Sequence, residues 1–166
     1  MTQDYSKLDK IDRIILHEVQ RDAKLTNHQL AQRIPLSESA CLRRVRALEE
    51  AGFIRGYVGL IDQTQAGYPD NVFVQVTLNS QQRDDLEAFE TAVRQIPEIM
   101  ECYLMSGAAD YLIRVVAADA RDYERIHSQY LTRLPGVDRV HSNFALRTVL
   151  KNTALPVRTA QRDRAP

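Results

Sequence analysis

Apolar positions in the first fifty residues recur at helical intervals. Leu8, Ile11, Ile15 and Val19 form one stripe, thickened by Ile14 and Leu16; Leu30, Ala31 and Ile34 form a second; Cys41, Leu42, Val45 and Leu48 form a third. Apolar residues at i, i+3/i+4 and i+7 make one face of an amphipathic helix. The polar residues between the stripes supply the ends. Thr26 with Gln29 is a capping box, T-x-x-Q, and Pro35 stops the helix that follows. Ser37 caps the next one, and Gly52 stands where a helix closes on a left-handed residue. Helices are predicted over residues 8–20, 26–34 and 38–51. Beyond them FIRGYVGLID, rich in β-branched and aromatic residues, predicts a strand or wing over 53–61. The polar turn-formers that follow predict a hinge at 63–71.

The second half alternates and repeats. Ile96-Pro97-Glu98-Ile99 and Leu134-Pro135-Gly136-Val137 each follow an amphipathic stretch (Leu86, Phe89, Val93 in one; Tyr123, Ile126, Tyr130 in the other) and each precede an apolar strand. A strand also stands ahead of each helix: Val72, Val74, Val76 and Leu78 on one face of the first, and the run from Tyr111 to Ala117 as the other. The order β-α-β, β-α-β is the split arrangement of a ferredoxin-like domain. Large side chains stand on both sheet faces: Phe73, Tyr103, Met105, Leu112 and Val116 oppose the core set. Two helices cover one face only, so the other is expected to pack on a second copy of the chain. The fold class is therefore α+β. A winged helix-turn-helix domain (1–62) precedes a hinge (63–71), then a ferredoxin-like domain (72–152). A tail rich in Arg, Ala and Pro (153–166) is expected to be disordered, and residues 1–7 a loose leader.

Composition narrows the picture without deciding it. The 22 Lys and Arg balance 22 Asp and Glu. With no global excess of positive charge, any nucleic-acid affinity must come from a local patch repeated by several copies. Two cysteines, Cys41 and Cys102, sit in apolar patterns and read as buried thiols in a reducing compartment. No stretch approaches the roughly 18 apolar residues of a membrane span. The charged N-terminus lacks the apolar core of a signal peptide. The expectation is a cytoplasmic protein with no membrane partner.

Two stretches can carry chemistry. The third helix has a second face, with Ser39, Ala40, Arg43, Arg44 and Ala47 on it and Arg46 at its edge. A helix-turn-helix lays this helix in the major groove of double-stranded DNA. Small residues at its front allow close approach, and arginines bind phosphates or guanine edges. Ser39, Ala40 and Arg43 are the candidates for base proximity, and Arg44 and Arg46 for phosphates. Ser37 lies in the turn before, and Thr26 and Asn27 offer backbone N–H groups to a phosphate. Arg44 has a rival role, pairing with an acidic residue to hold the helix in place. The second stretch runs from Met105 through Ser106, Gly107, Ala108, Ala109 and Asp110 to Tyr111. Turn amides can hold a carboxylate, Asp110 can face an α-ammonium, and Met105 and Tyr111 can pack on a side chain. Equally, Gly107 and Asp110 can do no more than shape the turn. Catalysis has little to stand on: the four histidines lie at no metal-ligand spacing, and no nucleophile-elbow or phosphate-loop pattern occurs. No cofactor or metal is expected.

Over residues 8–150 the chain resembles the Lrp/AsnC (feast/famine) family of bacterial and archaeal regulators. The likeness rests on Leu8-Asp9 and Asp12, Leu25-Thr26 with Leu30-Ala31, Leu36-Ser37, Arg44-Val45 with Leu48-Glu49, and Gly52-Phe53-Ile54. In the second half it rests on Pro97-Glu98-Ile99, Gly107 with Asp110-Tyr111, and Pro135-Gly136-Val137. CLRRVRALEEAGFIRGY is most similar to the leucine-responsive branch. The resemblance implies a helix-turn-helix, a ligand-sensing (RAM) module, and dimers that build tetramers or octamers. It also implies a small effector, usually an amino acid, held in a pocket between subunits, and a place on the nucleoid. The turn departs from many relatives in carrying two alanines, Ala108 and Ala109. An architectural DNA-binding protein without an effector is the alternative, and a small ferredoxin-like enzyme the remote one.

Overall fold

The computed structural model describes residues 8–157. The chain divides into two compact units. Among the described residues, one comprises 8–60 together with 150–157, and the other runs from Ile61 to Val149.

The first unit holds three helices: α1 (Lys10–Arg21), α2 (Asn27–Arg33) and α3 (Glu38–Glu50). Each begins on a side-chain cap. Asp9 and Asp12 close a capping box at α1, Thr26 and Gln29 close the one read from the sequence at α2, and the Ser37 hydroxyl accepts from the Ala40 amide at α3. These caps satisfy amides that have no partner within the helix. α3 ends where Gly52 turns left-handed (φ 71°). Phe53 N–H then donates back to Leu48 O at 2.9 Å, the closure that favours glycine. The three stripes meet in one core of Leu8, Ile15, Leu16, Leu30, Ile34, Cys41, Val45 and Leu48.

Two expectations fail beside this core. No strand forms over 53–61, where the backbone runs without a ladder. A strand needs a neighbour to complete its ladder, and no described strand pairs with this segment. Tyr57, Val58, Leu60 and Ile61 are left exposed. The tail expected to be disordered is placed as far as Val157, which packs against the helical core. The rest of that tail (158–166) and the leader (1–7) lie outside the described residues.

In the second unit the stretch expected to be a hinge is a closed turn. Ala66 N–H donates to Asp62 O at 3.0 Å, and the Gln63 amide donates to Tyr68 O at 2.7 Å. The sheet follows: β1 (Asp70–Leu78), α4 (Arg83–Val93), β2 (Ile99–Leu104), β3 (Tyr111–Ala117), α5 (Ala120–Gln129), a 3-10 turn (Leu131–Arg133) and β4 (Val137–Phe144). The order is β2-β3-β1-β4, with every neighbouring pair antiparallel. This is the split βαβ topology.

Register sorts the side chains. Val72 pairs with Val115, Val74 with Ile113 and Val76 with Tyr111. All six are buried with Phe89 and Val93 of α4 and Tyr123 and Ile126 of α5. On the alternate positions Phe73 pairs with Arg114, and Tyr103 and Gln75 with Leu112. That face carries no helix of its own unit: Phe73 is 39% and Tyr103 53% exposed.

Candidate nucleic-acid interface and ligand turn

α3 is the element on which the DNA-facing candidates sit, and its orientation follows from the burial of Cys41, Val45 and Leu48. That buried side turns Ser39, Leu42, Arg43, Arg46, Ala47 and Glu50 outward, where they line a shallow trough along the helix. Arg43 and Arg46 are exposed and make no hydrogen bond or ion pair among the described residues. Two guanidiniums held by a rigid helix and not neutralised by the protein are a fit for an anionic backbone or a guanine edge. Glu50 at the far end carries the opposite sign, so the part of the trough that suits an anion runs from Ser39 to Arg46. Leu42, assigned by periodicity to the core, is half-buried and reaches the trough. The 3.6-residue repeat places it at the boundary of the apolar arc.

Arg44 does not join them. Its guanidinium donates to Asp9 Oδ2 at 2.6 Å and to Asp12 Oδ1 at 2.7 Å. It is thereby tied to the two carboxylates that cap α1, so its expected phosphate role gives way to the rival structural one. The physical reason is angular: position 44 leaves the axis about 100° from position 43, toward α1 rather than outward. The electrostatics agree. Asp12 and then Asp9 push the Arg44 guanidinium up from its ordinary range. The Asp12 amide and the Arg44 guanidinium hold the Asp9 carboxyl below its own.

The remaining candidates are caps. Thr26 Oγ1 accepts from Gln29 N at 3.2 Å while Thr26 N donates to Gln29 Oε1 at 2.9 Å, so both amides are consumed by the box. Asn27 opens α2, half-buried. Ser37 and Ser39 share a hydroxyl contact at 3.2 Å, and Ala40 is half-buried behind them. His28 reaches Glu38 at 3.5 Å across the turn between the two helices.

The turn between β2 and β3 is closed by Met105 N–H donating to Asp110 O at 2.8 Å. Met105, Ser106, Gly107 and Ala108 stand exposed, with Ala109 half-buried. The amides of residues 106–109 donate to nothing among the described residues. Two side chains expected to face an effector do not. Asp110 is 7% exposed. Its Oδ2 accepts from the Leu78 amide at 2.7 Å and its Oδ1 from the Gln81 side chain at 2.6 Å. The carboxylate is spent on joining the turn to the end of β1 and is not offered to an ammonium. Tyr111 is buried with its ring 4.4 Å from that of Phe89, and its hydroxyl donates to Glu90 at 3.0 Å. Strand alternation puts it on the helix side of the sheet with Ile113 and Val115. The sequence could not show that Gln81, in the loop before α4, claims Asp110.

Among the described residues no group of His, Cys, Asp or Glu is arranged to hold a metal ion. No helix among them is long and apolar enough to cross a membrane.

Residues 8–55 match the family described as winged helix-turn-helix DNA-binding, and residues 71–155 the Lrp/AsnC ligand binding domain. The chain is 50% identical over 117 residues to an uncharacterised HTH-type transcriptional regulator of Sinorhizobium fredii, covering 70% of this chain and 92% of that one. It is 40% identical over 152 residues to the leucine-responsive regulatory protein of Escherichia coli K12, covering 92% and 93%. The crystal structure of a transcriptional regulator from Neisseria meningitidis in complex with L-Met superposes with a TM-score of 0.86 at 33% identity, over 90% of this chain and 97% of that one.

Proposed function

Since the chain belongs to the Lrp/AsnC family of DNA-binding transcriptional regulators, we propose that it reads an operator with the trough of α3 and is gated by an amino acid at the β2–β3 turn. The observation that carries the first part is the pair of unneutralised guanidiniums, Arg43 and Arg46, on a helix capped at its start and locked to α1. Arg43, beside Ser39 and Ala40, reads base edges; Arg46 and the helix ends of Ser37 and Asn27 meet phosphates; Ala47 keeps the trough shallow. The enzyme reading is set aside because the relatives that span the chain are regulators.

An amino acid suits the turn on physical grounds. Exposed amides at 106–109 can receive its carboxylate, and Met105 can lie along an apolar side chain. With Asp110 occupied, its ammonium is met by a second copy of the chain. The L-Met complex of the Neisseria relative supports this class of ligand. Phe73, Tyr103 and Met105 on the uncovered sheet side support pairing of two copies there, with further assembly multiplying a weak single grip. Such a protein works in the cytoplasm, on the chromosome.

The test of the DNA reading is quantitative footprinting of the native operator with Arg43→Ala and Arg46→Ala. Arg43→Ala is expected to cost about 1–3 kcal/mol on the operator and to relax preference at one position. Arg46→Ala weakens all duplexes alike and lowers the salt slope by about one. Unchanged affinity in both variants overturns the assignment. For the effector, a thermal-shift screen of the twenty amino acids reads stabilisation by mass action. No shift with any of them leaves a purely architectural role.

A further inference from the structure

The segment leaving the second unit does not trail away. From Leu150 it belongs to the helical unit, and it is hydrogen-bonded to α1 through the Gln20 side chain. Gln20 Oε1 accepts from the Leu155 amide at 2.7 Å, and Gln20 Nε2 donates to the Leu155 carbonyl at 3.3 Å and to Leu16 O at 3.1 Å. A primary amide can bridge the N–H and C=O of one residue only if that residue is extended, because only then do both groups point the same way. Pro156 enforces this: the residue before a proline is pushed out of the helical region. The Leu155 side chain is 76% exposed, so recognition is through its backbone. Two residues on, Val157 is half-buried against the helical core.

We propose that residues 153–157 are a return strap, an integral part of the DNA-binding unit, anchored by Gln20 at Leu155 and by Val157 in the core. The chain thus joins the two units twice, once before Ile61 and again after Val149. The end of β4 is connected through residues 145–152 to a strap hydrogen-bonded to α1, the helix whose capping carboxylates hold Arg44. Movement at the last strand of the ligand unit has a route to α1 that bypasses residues 61–69, covalent as far as Leu155 and hydrogen-bonded from there to Gln20.

The test compares the full chain with truncations after Val157 and after Asn152 and with Gln20→Met, which keeps length and helix propensity but removes the two hydrogen bonds to Leu155 along with the one to Leu16 O. Amide hydrogen exchange of Leu16–Gln20 is the readout, so the outcome does not depend on finding an operator or an effector. Truncation after Asn152 and Gln20→Met are each expected to speed exchange there by about thirty-fold, the factor that two ordinary hydrogen bonds supply. Truncation after Val157 leaves it unchanged. Equal protection in all four proteins overturns the proposal, as does a full effect from removing residues 158–166 alone. Should the chain ending at Asn152 fail to fold, Gln20→Met decides.

Discussion

A guanidinium on an amphipathic helix takes its role from the angle at which it leaves the axis. Arg43 and Arg44 are sequence neighbours, yet one faces the trough and the other two carboxylates. Arg44→Ala is therefore expected to act through the fold. It should destabilise the helical unit by about 1 kcal/mol at most, since the Arg44 side chain is 32% exposed and Asp9 49%. A double-mutant cycle with Asp12→Ala in urea unfolding should recover most of that as coupling. Acid provides a second check. Asp9 is held below its ordinary 3.8 in the fold, so its ionised form stabilises the native state fully above that value. The stabilisation disappears as the pH falls through the lowered one. Urea midpoints of the native chain should decline over that window, and Asp9→Asn should flatten the decline. At Asp110 a substitution acts through a buried hydrogen bond. Asp110→Ala leaves the Leu78 amide without its acceptor, at a cost of about 1–3 kcal/mol. It should lower the melting temperature of the ligand unit even with no amino acid present.

At the scale of elements, the periods carried most of the information. The helical stripes ended on Thr26, Ser37 and Gly52 because each of those residues has a local physical reason to stand there: two side-chain acceptors and a left-handed backbone. The split βαβ was legible because alternation in the segments around Val74 and Ile113 and the repeated Pro-containing motif are both short-range signals. What was not legible depends on partners distant in sequence. The segment 53–61 has the composition of a strand, but composition does not provide a neighbour. Asp110 looked like a charged turn residue because Gln81 lies 29 positions away. Tyr111 needed only strict counting from Ile113 to be placed inside. Its neighbour Leu112, on the opposite face, belongs to the surface on which pairing is proposed. Tyr103→Arg puts a cation on that face beside Leu112, and Tyr103 is exposed enough that the single chain should still fold. Sedimentation is expected to show the variant as monomers where the native chain dimerises.

For the molecule as a whole, one unit is a continuous stretch of sequence and the other is built from two separated ones. The ligand unit is inserted, in effect, between the third helix and the last few described residues of the helical one. Joining the helical part of one such regulator to the remainder of another tests this arrangement. A crossover at residue 60 gives the recombinant Gln20 from one parent and Leu155 from the other. Because the Gln20 amide grips main chain, that half of the joint tolerates foreign sequence as long as a proline follows. Val157 sits among side chains and does not. The viable hybrids should be those whose second parent carries an aliphatic residue there, so inheritance of the sensor is constrained by one small side chain in the reader.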